Sequence, residues 1–144
     1  MRPPFCMGLK RDRAMDILAV DDEEAIRSVV ADLLEENGHS VKIAGSGEEA
    51  LSIIDADGAP ALLLTDIDLG PGINGVALAS KLQMRDPELP VIFISGRPWL
   101  LLGTPIGGRI QFLQKPFRLS QLVEMIRELV ALRDAGQSVP QAAV

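Results

Sequence analysis

Apolar residues fall along this chain in two alternating rhythms. Short dense runs recur at Ile17-Leu18-Ala19-Val20, Ser40 to Ala44, Ala61 to Thr65, Val91-Ile92-Phe93-Ile94 and Ile110 to Gln114. Runs of this kind, bounded by turn residues, predict short strands buried in a sheet. Between them the apolar positions recur at helical spacing. Ala25, Ile26, Val29, Val30, Leu33 and Leu34 make one stripe between Glu23 and Asn37, and Asn37-Gly38 ends it. Ser46 with Glu49 predicts a capping box ahead of Ala50, Leu51, Ile53 and Ile54. Asn74 predicts a cap ahead of Val76, Leu78, Ala79 and Leu82. Ser120 is the expected cap of a last helix from Leu119 to Arg133, with Leu122, Val123, Ile126, Leu129 and Val130 inward. Asp68 to Gly72 reads as a turn, and Pro87 and Pro90 frame a loop. In residues 97–109, Pro98, Gly103, Pro105, Gly107 and Gly108 argue against a regular helix.

Five short strands alternating with helices predict an α/β fold. The expected form is a doubly wound five-stranded parallel sheet with helices on both faces, the fourth helix short or irregular. The chain has 144 residues, 47% hydrophobic and 24% charged. That length suits one domain burying roughly 70% of its unfolded surface, and the composition excludes a disordered chain. One cysteine, Cys6, and one histidine, His39, exclude a disulfide framework and a Cys/His zinc site. Both are expected to be inert, His39 as a solvated loop residue. A net charge of −6 leaves no overall basic footprint for nucleic acid. The longest apolar runs, such as Trp99 to Leu102, fall far short of the ~20 residues of a membrane helix. Residues 1–14, with Arg2, Lys10, Arg11 and Arg13, are expected to be a mobile basic tail, or sequence upstream of the true start. Residues 15–133 form the predicted domain, and 134–144 a flexible C-terminal tail. A cytoplasmic location is expected.

In open α/β sheets, ligands bind beyond the carboxyl ends of the strands. The first strand ends in Asp21-Asp22, the third in Asp66, the fourth in Ser95 and the fifth in Lys115. Each pair of carboxylates at ~4 Å repels by about 4 kcal/mol at an effective dielectric of 20. Protonation or a cation relieves this, and an all-oxygen set suits Mg²⁺. A metal, the Lys115 ammonium and the Ser95 hydroxyl around a central carboxylate meet the demands of phosphoryl transfer. Asp66 is then the nucleophile.

Val20-Asp21-Asp22, Leu64-Thr65-Asp66, Ile94-Ser95-Gly96 and Leu113-Gln114-Lys115-Pro116-Phe117 together resemble the receiver domain of two-component response regulators. The resemblance covers roughly residues 16–133. It implies a flavodoxin-like sheet of order 2-1-3-4-5, and phosphoryl transfer to Asp66 from a phosphohistidine on a histidine kinase or histidine phosphotransfer protein. It assigns Mg²⁺ to Asp22, Asp66 and the backbone carbonyl of Asp68, with Asp21 acting through a water. It gives Lys115 and Ser95 contacts to the phosphoryl oxygens, makes Phe112 a switch aromatic partnered with Ser95, and expects a cis Lys115–Pro116 bond. The expected activity is that of a stand-alone signalling switch rather than a turnover enzyme. It would act on an unknown downstream protein or as a homodimer, with no DNA-binding domain and no membrane.

Each residue also has a plainer explanation. Asp21-Asp22 can serve a helix N-terminus, Ser95-Gly96 a turn, Lys115 the solvated surface and Phe112 the core. Two departures from the family pattern stand out. The loop Ile67 to Gly75 is long, with Pro71 displaced, and Asp68 adds a negative charge that can lengthen or shorten the phosphorylated state. The Ser95–Lys115 stretch lacks a clear helix, and Trp99, Leu100, Leu101 and Leu102 are expected to pack partly into the core, the alternative being an apolar face for a partner. Two other functions stay open. One is a degenerate, phosphate-independent interaction module on the same fold. The other is a haloacid-dehalogenase-like phosphatase, since Leu62 to Asp68 also resembles that nucleophile motif, with Asp68 as general acid. In those enzymes, however, the acidic pair follows the lysine, whereas Asp21-Asp22 precedes Asp66.

Overall fold

A computed structural model describes residues 15–134. The tails expected at 1–14 and 134–144 lie outside the described residues, except Asp134, which belongs to the last helix. The elements run β1 (Asp16–Val20), α1 (Glu24–Glu36), β2 (Ser40–Ala44), α2 (Gly47–Asp57), β3 (Leu62–Asp66), α3 (Gly75–Arg85), β4 (Val91–Ser95), a 3-10 turn (Pro98–Leu101), β5 (Ile110–Gln114) and α4 (Leu119–Asp134). All strand pairings are parallel, in the order β2-β1-β3-β4-β5. The expected doubly wound, flavodoxin-like sheet is the one found.

Alternation along each strand splits the core into two layers. Leu18, Val20, Leu63, Val91 and Phe93 face α2, α3 and the 3-10 turn. Ile17, Ala19, Leu62, Leu64, Ile92 and Ile94 face α1 and α4. The central strands β3 and β4 are buried at every position, which explains their unbroken apolar runs. The edge strands β2 and β5 are only partly covered. No helix among the described residues is long and apolar enough to cross a membrane.

The caps follow the sequence with two adjustments. Ser46 Oγ accepts from the Glu49 N–H at 3.0 Å, and Asn74 Oδ1 from the Ala77 N–H at 2.8 Å. Glu49 Oε1 accepts from the Gly45 N–H at 2.7 Å, one residue earlier than a capping box requires. Ser120 is not the cap of α4. That helix already begins at Leu119, and the Gln121 side chain accepts from the Arg118 N–H at 2.7 Å instead. His39 is not solvated either. It is buried, and its Nδ1 accepts from the Met15 N–H at 3.1 Å, pinning the start of β1.

The connection from β4 to β5 holds only the 3-10 turn, as the prolines and glycines foretold. Gly107 and Gly108 adopt φ of 135° and 61° and turn the chain into β5. One short turn can aim few side chains inward. Leu101 is buried at 7% exposure, whereas Trp99 and Leu102 stay 61% and 84% exposed. Packing of this apolar quartet into the core is thus realised by one residue, not shared among several.

The start of α3 approaches β3 closely. A Cβ on Gly75 would collide with the backbone oxygen of Asp66, and the Gly75 N–H already donates to the Ile67 oxygen at 2.8 Å. Backbone cannot swing aside as a side-chain tip can. Gly75→Ala should therefore lower stability by ~1–3 kcal/mol, read as a fall in the urea midpoint at unchanged m-value.

Candidate functional site

Parallel strands end on the same edge of the sheet, so the residues following them meet. Asp66 and Ser95 are the last residues of β3 and β4; Asp21 and Lys115 directly follow β1 and β5. The register sets Asp66 beside Ile94 and Ser95 beside Gln114. Asp22, Glu23, Asp66, Asp68, Gly70, Ser95, Gly96, Arg97 and Lys115 line one cleft of about 670 Å³ on this edge.

Lys115 is the electrostatic centre. Its Nζ lies 2.9 Å from Asp66 Oδ2, 3.4 Å from Glu23 Oε1 and 3.5 Å from Asp21 Oδ2. Burial works to lower the ammonium's pKa, but the hydrogen bond to Asp66 and the charges of Asp21, Asp66 and Glu23 outweigh it. The net result stands above the ordinary 10.5. The Lys115–Pro116 peptide bond is cis. Asp21 is buried at 6% exposure, and burial raises its pKa despite a backbone hydrogen bond from Glu23 and the nearby Lys115. Its Oδ1 accepts from the Glu23 N–H at 2.8 Å, and its carbonyl accepts from the Arg27 guanidinium at 2.8 Å. The β1–α1 turn is thus built on the acid itself.

Asp66 is 6% exposed yet reaches the cleft, its Oδ1 accepting from the Asp68 N–H at 3.1 Å. Thr65 Oγ1 donates to the Asp66 carbonyl at 2.8 Å. Ser95 is buried, and its Oγ accepts from the Arg97 N–H at 2.9 Å. Phe112 lies half-buried in β5, paired with Phe93 and packed against the layer that faces α2 and α3, outside the residues that line the cleft.

Asp21, Asp22 and Asp66 each offer a carboxylate oxygen, and these oxygens lie within 4.8 Å of one another. Asp21, Asp66 and Glu23 share the Lys115 ammonium and Asp22 adds a further acid, so negative charge exceeds positive here. A hard divalent cation fits this set. The donors are all oxygen, one acid is exposed, and the open cleft leaves room for the waters that Mg²⁺ retains.

Asp21, Asp22, Asp66, Asp68, Ser95 and Lys115 therefore come together as the strand ends suggested, and Phe112 stands apart. Three contributors were not singled out in the sequence. Glu23 was taken only as the start of α1, and Gly75 only as part of a loop. Arg97 bonds Asp68 at 3.0 Å. Glu23 directly follows the acidic pair and Arg97 lies two residues after Ser95, so proximity to the strand ends was the available signal.

Comparison with known proteins agrees with this arrangement. Residues 17–127 match the family model described as the response regulator receiver domain. The chain is 34% identical over 131 residues to response regulator MprA from Mycobacterium leprae, covering 87% of this chain and 56% of that protein. It is 37% identical over 123 residues to the uncharacterized transcriptional regulatory protein YkoG from Bacillus subtilis, covering 83% of this chain and 52% of the relative. The chain thus spans about half the length of these curated relatives. The crystal structure of the receiver domain of NtrX from Brucella abortus superposes with a TM-score of 0.71 at 33% identity, covering 81% of this chain and 98% of that one. The chain belongs to the response regulator receiver domain family, the signalling domain of two-component systems.

Proposed function

We propose that this domain is a phosphorylation-dependent switch with Asp66 as the phosphoryl acceptor. The observation that carries it is the Lys115 ammonium 2.9 Å from Asp66 Oδ2, beside carboxylate oxygens of Asp21 and Asp22. In the proposed reaction an Asp66 carboxylate oxygen attacks phosphorus on a phosphohistidine of a histidine kinase or histidine phosphotransfer protein. The P–N bond breaks, and its electron pair returns to the imidazole. Lys115 moves part of its bonding from Asp66 to a phosphoryl oxygen. The Ser95 hydroxyl donates to another, giving up its present role as acceptor for Arg97 N–H. Phe112, half-buried in the neighbouring strand, follows Ser95 and alters the β5 surface offered to a downstream protein or a second copy.

Mg²⁺ would be held by Asp21, Asp22, Asp66 and the Asp68 backbone carbonyl, and when bound it supplies positive charge to the phosphoryl oxygens. An apolar groove lined by Ile26, Val29, Pro116 and Phe117 opens beside Lys115, which favours a protein as donor. The order of the acids, with Asp21-Asp22 ahead of Asp66, supports this reading over a phosphatase.

Incubation with acetyl phosphate and Mg²⁺ should add one phosphoryl group to the wild type by intact mass. Asp66→Asn should fold and take up none. Failure of the wild type to gain mass would favour the phosphate-independent module, and steady turnover of a generic phosphate ester the phosphatase.

Mg²⁺ at tenfold over its Kd should stabilise the wild type by about 1.4 kcal/mol, raising Tm by roughly 3–6 °C. Asp21→Asn should lose most of that gain. In EDTA it should melt no lower than the wild type, because it removes a charge that burial disfavours. A wild-type Tm indifferent to Mg²⁺ argues against the metal.

A further inference from the structure

The loop from β3 to α3 is held at both ends, and its far end is held by a residue of α2. At the near end the Asp68 N–H donates to Asp66 Oδ1 at 3.1 Å, and Leu69 is buried in the core. Gly70 and Gly72 follow, with φ of 79° and 95°. Glycines leave a loop many other conformations to sample, so a second tether is needed to keep one. Glu48, in the first turn of α2, supplies it. Its Oε2 accepts from the Ile73 N–H at 3.1 Å, a contact between residues 25 apart in sequence.

The contact is shaped for this carboxylate. A Cβ on Gly72 would collide with the Glu48 carboxylate, and a Cβ on Gly47 would collide with the Ile73 side chain. Each side chain thus lies where its neighbour has none. A Cβ on Gly70 would stand 4.0 Å from Asp22 Oδ2, so the tethered stretch runs beside the acids. Glu48 itself belongs neither to the lining of the cleft nor to the group Asp21, Asp22 and Asp66.

We propose that Glu48 is a positioning residue that fixes the β3–α3 loop in the shape that receives Mg²⁺, and so raises the affinity of the site for the ion. The proposal rests on the reading of Asp21, Asp22, Asp66 and the Asp68 carbonyl as the Mg²⁺ set. A backbone carbonyl serves as a ligand only while its peptide faces the ion. A loop that must be ordered at binding weakens the apparent affinity by the fraction of time it spends in the competent shape. Glu48 acts through the Ile73 N–H, not as a ligand, and its role lies in that hydrogen bond rather than in its charge.

The whole chain as wild type, Glu48→Ala and Glu48→Gln is stripped of metal with EDTA, exchanged into metal-free buffer and titrated with Mg²⁺. The Kd is read from the rise of Tm with Mg²⁺ concentration. Glu48→Ala should weaken Mg²⁺ binding by roughly three- to fivefold, the effect of one exposed hydrogen bond. Glu48→Gln keeps an oxygen acceptor for the Ile73 N–H and should stay within about twofold of the wild type. Without metal, both variants should melt within about 5 °C of the wild type. Hydrogen exchange over residues 67–74, followed by mass spectrometry in EDTA, reads the loop independently of the ion. It should be faster in Glu48→Ala and unchanged in Glu48→Gln. Equal Mg²⁺ affinity in wild type and Glu48→Ala, whether or not the loop exchanges faster, overturns the positioning role and leaves the metal set in place. Glu48→Gln as weak as Glu48→Ala overturns it as well, because charge then accounts for the loss. A wild-type Tm indifferent to Mg²⁺ overturns the metal reading and the role of Glu48 with it.

Discussion

The contact between Lys115 and Asp66 is the constraint around which the cleft is organised. It joins residues from the third and fifth strands, and the same ammonium also faces Asp21 and Glu23 from the first strand's turn. Buried carboxylates repel, and taking them out of water costs several kcal/mol per ion unless opposite charge is near. Lys115 offsets part of that cost, so the lysine's own pKa rises against the effect of its burial. Asp21 remains incompletely compensated, and its proton is held more tightly than usual. A site left short of positive charge favours a cation over a further anion.

The scaffold holds this tension because the sheet is packed on both faces. Leu63 and Val91 lie under α2 and α3, while Leu62 and Ile92 lie under α4 and α1, all fully buried. Close-packed interiors do not yield readily. The strand ends cannot drift apart to relieve repulsion, and the missing Cβ of Gly75 lets α3 pack directly on the backbone at Asp66. The repulsion among the acids is thereby held at the cleft.

Polar contacts around Asp66 differ in strength by position. The Lys115 side chain is 22% exposed and that of Asp66 8%, whereas those of Arg97 and Asp68 are about half exposed. The first pair acts through a low dielectric and is durable; the second is screened and transient. A durable pair suits the anchoring of a carboxylate at a fixed place in the cleft. The half-buried Phe112 lies on the partly covered β5, which pairs with the strand that ends at Ser95.

The sequence by itself determined the elements and the identity of the cleft. Short apolar runs bounded by turn residues and alternating with helical stripes read as strands of a parallel sheet, and polar residues directly after such runs fall on one edge when the strands are parallel. That is why Asp21, Asp22, Asp66, Ser95 and Lys115 could be named without coordinates. Local caps were legible where a single side chain decides them, as at Ser46 and Asn74. They were not legible at Ser120, which lies inside a helix that already begins at Leu119. Only tertiary structure decided that His39 is buried against Met15, that Leu101 alone of its apolar run turns inward, and that Glu23 and Arg97 join the cleft. Gly75 likewise gains its meaning from a backbone met in three dimensions. These outcomes depend on which distant atoms arrive beside a residue, and neither periodicity nor residue type carries that information.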